Sequence, residues 1–273
     1  MNRYTWRTFI LEILFIVVSV IFLVPFFVLL SVAFRNPEAP RGPFDFTWPP
    51  SLDNLSIAWN TSGMGAAIVN STVITVISVI LIIAFSSLAA YPLARYTQKW
   101  SRAFFWFFVA GLLVAGQASI LPLYTFIRDI GLMNTLWAVI LIQVGANMPF
   151  SIFLYTSFLR ELPRDYEEAA QIDGASPTRI FLSVVFPLLR PVTGTILVLD
   201  ALGVWNDFFT PLLYLSGGGS KTAPLALYTY VGQYASDWPL VFSTLLLSIV
   251  PILILYVFTQ KYIIQGFASG LKG

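Results

Sequence analysis

The sequence contains no histidine and no cysteine, and it has few charged residues. The first two absences exclude an imidazole base, a His-ligated metal, a disulfide framework and thiolate chemistry. Only 10% of the 273 residues are charged, whereas a soluble domain usually has about 25%. This shortage excludes a soluble enzyme and a disordered chain. The net charge of +2 is too small for a nucleic-acid binder.

Long uncharged stretches dominate the chain, which is 58% hydrophobic. Each stretch exceeds the roughly 20 apolar residues that cross the hydrocarbon core of a bilayer. Five membrane-spanning helices are therefore predicted, at about residues 10–33, 67–92, 104–127, 133–158 and 240–260. A sixth span, Pro191 to Tyr214, is interrupted by Asp200 and Asp207, and we interpret it as a helix with a buried polar face. The predicted fold class is an all-α integral membrane protein with six transmembrane helices.

Lysine and arginine are unevenly divided between the predicted loops. Of the 15 basic residues, those on the side opposite the termini are Arg35, Arg41, Arg128 and Lys221. Because basic residues concentrate in cytoplasmic loops, both termini are predicted to be cytoplasmic. The apolar run Phe9–Phe34 exceeds the roughly 7–15 residues of a signal-peptide core, so we interpret the first span as an uncleaved anchor.

The predicted cytoplasmic loop between spans four and five is long and charged. Pro163 suits the first turn of a helix, and Gly174 suits the position just after the end of that helix. Ser176 then fits the N-cap of a second helix, with Pro177 as its first residue. The loop is therefore predicted to form two short helices joined by a glycine turn.

Two interpretations of this loop stay open on the residues alone. It could be an amphipathic elbow that seals the bundle, or it could be a docking surface. Ala169 and Ala170 are small enough for a partner to approach closely, and Glu168 offers a carboxylate to a partner arginine.

Polar residues inside the spans form a second group of candidates, because burying them in a membrane is costly. Gln143 and Asn147 lie four residues apart on one face of span four, and Asn206 and Asp207 lie in span five. Helix–helix hydrogen bonding is the simpler interpretation. Lining of a translocation cavity is the alternative for these four, with a structural turn as the rival for Asn206 and Asp207. For Asp200 we favour a buried partner.

A family resemblance is carried first by the charged loop. Glu168-Ala169-Ala170, followed by Gly174 and then by Val184-Val185-Phe186-Pro187, resembles the EAA loop of bacterial ABC importer permeases. Val184 and Phe186 replace the Ile and Leu of that pattern. The segments Trp205–Phe209 and Gly266–Gly273 are similar to the MalG-type permease subunit of carbohydrate importers.

The resemblance implies a transport subunit of the prokaryotic inner membrane rather than an enzyme. The implied partners are a second, MalF-type permease subunit in a heterodimer, two ABC ATPase subunits, an extracytoplasmic solute-binding protein, a carbohydrate and the lipid bilayer. The residues implied to couple the chain to the ATPase are Glu168, Ala169, Ala170, Asp173 and Gly174. Residues 1–65 would form an N-terminal helix and outer loop, and residues 66–273 a permease core of five helices.

The resemblance implies no cofactor for this chain, because ATP would be bound by the partner ATPase subunit. Gly217–Thr222 is the only segment like a phosphate-binding loop, and Ser220 replaces the glycine required before the lysine. We interpret this segment as a flexible outer loop. An intramembrane Ser–His protease is excluded without histidine, and Asn147-Met148-Pro149 does not qualify as a channel signature. The remaining rival is an ABC permease for an osmolyte, a peptide or a polyamine.

Overall fold

The computed structural model describes residues 6–36, 48–114, 116–231 and 237–270. Arg3, Arg41 and residues 271–273, which the sequence predictions used, lie outside these ranges. The regular elements of the described ranges are helices. In chain order the α-helices are α1 (Trp6–Ala33), α2 (Asp53–Thr61), α3 (Met64–Arg95), α4 (Lys99–Gly111), α5 (Ile120–Asp129), α6 (Leu136–Glu161), α7 (Asp165–Ile172), α8 (Pro177–Ile180), α9 (Phe186–Leu188), α10 (Arg190–Asn206), α11 (Phe209–Leu215), α12 (Ala223–Ala226) and α13 (Trp238–Gly270). A π-helical segment, Phe181–Val185, joins α8 to α9.

Helices long and apolar enough to cross a bilayer confirm the predicted all-α membrane fold. The described residues contain four unbroken ones: Thr8–Ala33, Met64–Arg95, Leu136–Glu161 and Trp238–Val257. Two further pairs of helices pass the same test together but are bent, which gives six spans if each pair counts as one. Most side chains of α1 are exposed, as expected for an apolar helix surrounded by lipid.

The third predicted span is not one straight helix, contrary to the sequence prediction. Lys99–Gly111 and Gly116–Asp129 are inclined at 94° to each other. Gly111 ends the first helix and Gly116 begins the short 3₁₀ turn before α5. Glycine is among the weakest helix formers, which explains why α4 ends at Gly111.

The fifth predicted span is also interrupted, because α10 ends at Asn206. Asp207 adopts an extended conformation, and its Oδ1 accepts hydrogen bonds from the backbone N–H groups of Phe209 (3.0 Å) and Thr210 (3.2 Å). An aspartate that binds free N–H groups in this way caps the start of a helix. Its side chain therefore favours a new helix, α11, over continuation of α10.

The described residues divide into two compact units. The first comprises residues within 1–65 and 226–250. In it Asn54 donates to the carbonyl of Arg35 at 2.8 Å, and Ser243 donates to the carbonyl of Ala33 at 3.2 Å.

The second unit comprises residues within 66–225 and 251–273 and contains every candidate site residue. One of its buried clusters includes Ile74, Ile140 and Leu215. Another includes Tyr155 and Leu189 and packs beneath the loop between α6 and α10. The charged loop therefore packs on a buried apolar cluster.

Candidate functional site

The charged loop folds as the predicted pair of short helices. Three acidic residues lie in the first turn of α7, where the helix dipole favours negative charge. The helix ends in a Schellman motif: the N–H of Gly174 donates to the carbonyl of Gln171 and that of Ala175 to the carbonyl of Ala170, both at 3.0 Å. Gly174 has φ +78°, a conformation that glycine adopts without steric cost.

The second short helix also starts as predicted, while the start of the first differs. Ser176 caps α8 by accepting a hydrogen bond from the N–H of Arg179 at 3.4 Å, and Pro177 is the first residue of that helix. Pro163 was predicted in the first turn of α7, but the helix begins at Asp165 with Arg164 at the N-cap. Asp165 is the better first residue, since the dipole stabilises its carboxylate.

The predicted coupling residues lie together on this helix and turn. Glu168, Ala169, Asp173 and Gly174 are exposed. Ala170 is half-buried and packs against the apolar cluster beneath the loop. The structure therefore leaves the carboxylate of Glu168 and its small neighbour accessible to a partner.

Glu167, which sequence reasoning did not select, forms the strongest polar contacts of the loop. Its Oε1 accepts from the Nε of Arg95 at 2.7 Å and lies 2.6 Å from the Nη2 of that arginine. Its Oε2 accepts from the hydroxyl of Tyr91 at 2.8 Å. These partners are 72 and 76 residues away, so no local spacing pattern could have revealed them.

Two large apolar side chains of α7 are exposed, and sequence reasoning missed them as well. The exposed fraction is 86% for Ile172 and 53% for Tyr166. Exposed apolar groups next to an exposed carboxylate suit a protein-binding surface. The available sequence signal was the presence of both residues in an otherwise polar helix.

The polar candidates inside the spans form a hydrogen-bonded group. The amide of Gln143 donates to Oδ2 of Asp207. The amide of Asn147 donates to the backbone carbonyl of Gln143 at 2.8 Å and to its side-chain oxygen at 3.2 Å. Three of the four predicted cavity residues are thus linked, and they join α6 to the break between α10 and α11.

Asn206 does not belong to this group. Its amide donates to the carbonyl of Leu202, one turn earlier in α10, at 2.9 Å. Asp200 has the buried partner that was predicted for it, because Ser151 donates to its Oδ2 at 3.1 Å. Within the described ranges, no three acidic side chains are grouped closely enough to hold a metal ion.

Known proteins resemble the chain over almost its whole length. Residues 1–268 match the family described as binding-protein-dependent transport system inner membrane component. The chain is 35% identical to the melibiose/raffinose/stachyose import permease protein MelC of Bacillus subtilis (strain 168), over 97% of this chain and 96% of that protein. It is 33% identical to the multiple sugar-binding transport system permease protein MsmG of Streptococcus mutans, over 98% and 96%.

A solved structure shares the fold. It is a crystal structure of a bacterial ABC transporter involved in the import of the acidic polysaccharide alginate, and the TM-score is 0.80. The alignment covers 96% of this chain and 99% of that chain, with 23% sequence identity.

Proposed function

The chain belongs to the family of inner membrane components of binding-protein-dependent transport systems, and we propose that it forms half of the translocation pathway for a carbohydrate in an ATP-driven ABC importer. MelC is an import permease protein for melibiose, raffinose and stachyose, and MsmG is a permease protein of a multiple sugar-binding transport system. Their similarity over nearly the full chain supports a carbohydrate over an osmolyte, a peptide or a polyamine.

The observation that carries the coupling part of this proposal is the exposed face of α7. Glu168, Ala169 and Ile172 are accessible on a short helix, and the Schellman turn at Gly174 fixes where that helix ends. A partner arginine would form a charge-assisted hydrogen bond with Glu168, while Ile172 would be buried in an apolar cleft. Asp173 and Ala170 complete the coupling segment.

The proposed partners follow from this surface and from the family. Two ATPase subunits bind ATP and contact α7 and its equivalent in a second, MalF-type permease subunit. A solute-binding protein delivers the sugar on the opposite side of the membrane. The distribution of basic residues supports a cytoplasmic position for both termini and for α7.

The proposed pathway residues are Gln143, Asn147, Asn206 and Asp207. Side-chain amides donate to and accept from sugar hydroxyls, and an ionised carboxylate accepts from them. The linked group around Asp207 supports this role because it gathers three such side chains at a helix break. Asn206 is exposed and adjacent, so its amide can exchange its bond to its own helix for a bond to substrate.

Transport by the reconstituted complex tests the proposal. The chain, its partner permease and the ATPase would be placed in proteoliposomes with the cognate binding protein. We expect ATP-dependent uptake of a labelled melibiose- or raffinose-type sugar, and none of glycine betaine, a peptide or spermidine. Uptake of one of the latter solutes alone would replace the carbohydrate assignment with the rival one.

A further inference from the structure

We propose that Glu167 and Arg95 form a joint that transmits motion of α7 to two membrane-spanning helices, separate from the surface that binds the ATPase. The inference rests on the proposed function, since it concerns what happens after the ATPase has bound α7. Glu167 and Arg95 are positioning residues in this scheme.

Burial separates the joint from the docking surface. The side chain of Glu167 is 15% exposed and that of Arg95 10%, whereas Glu168 is exposed. Three donor groups already occupy the carboxylate of Glu167: the Tyr91 hydroxyl and two nitrogens of Arg95. It has little capacity left for an arginine of another subunit, so adjacent glutamates have different tasks.

Arg95 connects more than one helix. In addition to the contacts of Arg95 with Glu167, the Nη1 of Arg95 donates to the carbonyl of Leu159 at 2.6 Å and to that of Leu162 at 3.3 Å, at the end of α6. Arg164, at the start of α7, donates to the backbone carbonyl of Arg95 at 2.9 Å. The last residue of α3 is therefore bonded to the end of α6 and to both the start and the first turn of α7.

Tyr91 extends the joint to the segment that follows the glycine turn. Its ring centroid lies 5.4 Å from that of Phe181, in the π-helical segment. A displacement of α7 relative to α3 would break the partly buried ion pair of Glu167 and Arg95, and a displacement of Arg95 relative to α6 would break its bonds to the carbonyls of Leu159 and Leu162. Losing one partner of an ion pair removed from water is unfavourable. The contiguous contacts thus give a physical route from α7 into the membrane.

The test separates binding of the ATPase from its coupling to transport. Glu167→Gln removes the charge at nearly constant shape, and Tyr91→Phe removes one hydroxyl. Asp165→Asn is the matched control, because it neutralises an exposed acid of the same helix. For each purified complex, the amount of bound ATPase subunit, the ATPase rate and the sugar uptake rate are measured together.

We expect Glu167→Gln to retain the ATPase subunits while the ATP hydrolysed per sugar imported rises at least about fivefold, the lower end of typical coupling between linked sites. Tyr91→Phe should raise the ratio less, and Asp165→Asn should leave it unchanged. The double variant Glu167→Gln/Arg95→Gln should have the same ratio of ATP hydrolysed to sugar imported as Arg95→Gln alone, since both substitutions break the same ion pair.

Different results would overturn different statements. Loss of the ATPase subunits in Glu167→Gln would make Glu167 part of the docking surface, and an unchanged ratio would remove its role in transmission. Absence of ATPase binding and transport in the unmodified complex would instead contradict the proposed function. If Arg95→Gln does not assemble, the two milder variants still decide the matter.

Discussion

Glu167 and Glu168 are neighbours in sequence, but their carboxylates face different surroundings. Glu167 is bound within the chain, and Glu168 is exposed. The assignment of Glu168 to ATPase binding predicts that Glu168→Gln weakens that binding. A hydrogen bond to a charged group contributes about 1.5–3 kcal/mol, so the dissociation constant should rise about ten- to hundredfold.

Titration of purified ATPase subunit against the membrane complex measures this change. Asp165→Asn serves as the control, since it is an exposed acid one turn earlier on the same helix. Equal affinities for Glu168→Gln, the control and the unmodified complex would contradict a role of Glu168 in docking.

Gly174 gives a second prediction at the residue scale, because only its backbone conformation, and not the space around it, favours glycine. At φ +78° a Cβ would meet no atom within 4 Å, so a substitution adds conformational strain without a clash. Gly174→Val should therefore destabilise the turn by about 1–2 kcal/mol and weaken ATPase binding. Gly174→Asn should be milder, since asparagine tolerates this conformation. Thermal unfolding and ATPase retention of the two variants, if identical, would refute the importance of the turn.

Asp207 combines two contacts, and substitutions can separate them. Asp207→Ala removes the cap of α11 and should lower the free energy of unfolding by about 1 kcal/mol. Asp207→Asn keeps an acceptor oxygen for the cap and should unfold close to the unmodified temperature. Its sugar uptake should nevertheless fall, as should that of Asn206→Ala, if these residues line the pathway. Unchanged affinity and rate in both would leave them a structural role alone.

Local signals explain which residues could be predicted from sequence. The helix end at Gly174 and the cap at Ser176 depend on residues within one turn, so composition and spacing were sufficient. The role of Glu167 depends on Arg95, on another helix, and no single-sequence pattern encodes that distance. The cap formed by Asp207 is also local: its charge in an apolar run was interpreted as a buried face of one helix, with a structural turn as the alternative, and the observed cap agrees with the turn.

At the scale of elements, hydropathy predicted which segments are apolar, but it did not predict where they bend. The third span is bent by 94°, and Pro177–Leu188 is bent by 73° against α10 at a break that precedes the predicted fifth span. The break in the third span lies within an uncharged stretch, so a charge-gap criterion cannot detect it. Glycine at Gly111 and Gly116 was the signal available for the first. For the fifth span, the signal was the polar pair Asn206 and Asp207, for which a structural turn was one of the two interpretations.

The segment after α11 is held by the connection before α6, where a flexible loop was expected. The N–H of Gly217 donates to Oδ1 of Asn134 at 2.9 Å, and the N–H of Asn134 donates to the carbonyl of Tyr214 at 2.8 Å. A Cβ on Gly218 would lie 2.7 Å from the Cβ of Asn134. The two connections therefore approach so closely that glycine is required.

The close approach of Gly218 to Asn134 predicts a loss of stability that a second substitution partly reverses. Gly218→Ala should lower the free energy of unfolding by about 1–3 kcal/mol, the usual cost of overpacking. Adding Asn134→Gly removes the clashing Cβ at a residue with φ 63°, where glycine is favourable, and should restore part of the loss. Thermal unfolding in detergent measures both. A double variant no more stable than Gly218→Ala alone would contradict the conclusion that Asn134 leaves no room for a side chain at position 218.

For the whole molecule, the orientation in the membrane decides whether α7 can meet an ATPase at all. The distribution of basic residues predicts that the connection between α3 and α4 is cytoplasmic and that the end of α5 is on the outer side. Because the chain has no cysteine, single cysteines can be introduced without altering other positions. Lys99 and Asp129 are suitable, since both are exposed.

We expect a membrane-impermeant maleimide to label Asp129→Cys in intact spheroplasts and Lys99→Cys only in inverted vesicles. Permeabilised membranes, in which both variants must react, provide the control for reactivity. The opposite pattern would place α7 on the outer side, where there is no ATP. Glu168, Gly174 and the joint at Glu167 would then have no ATPase to couple to, so this measurement logically precedes every test of coupling.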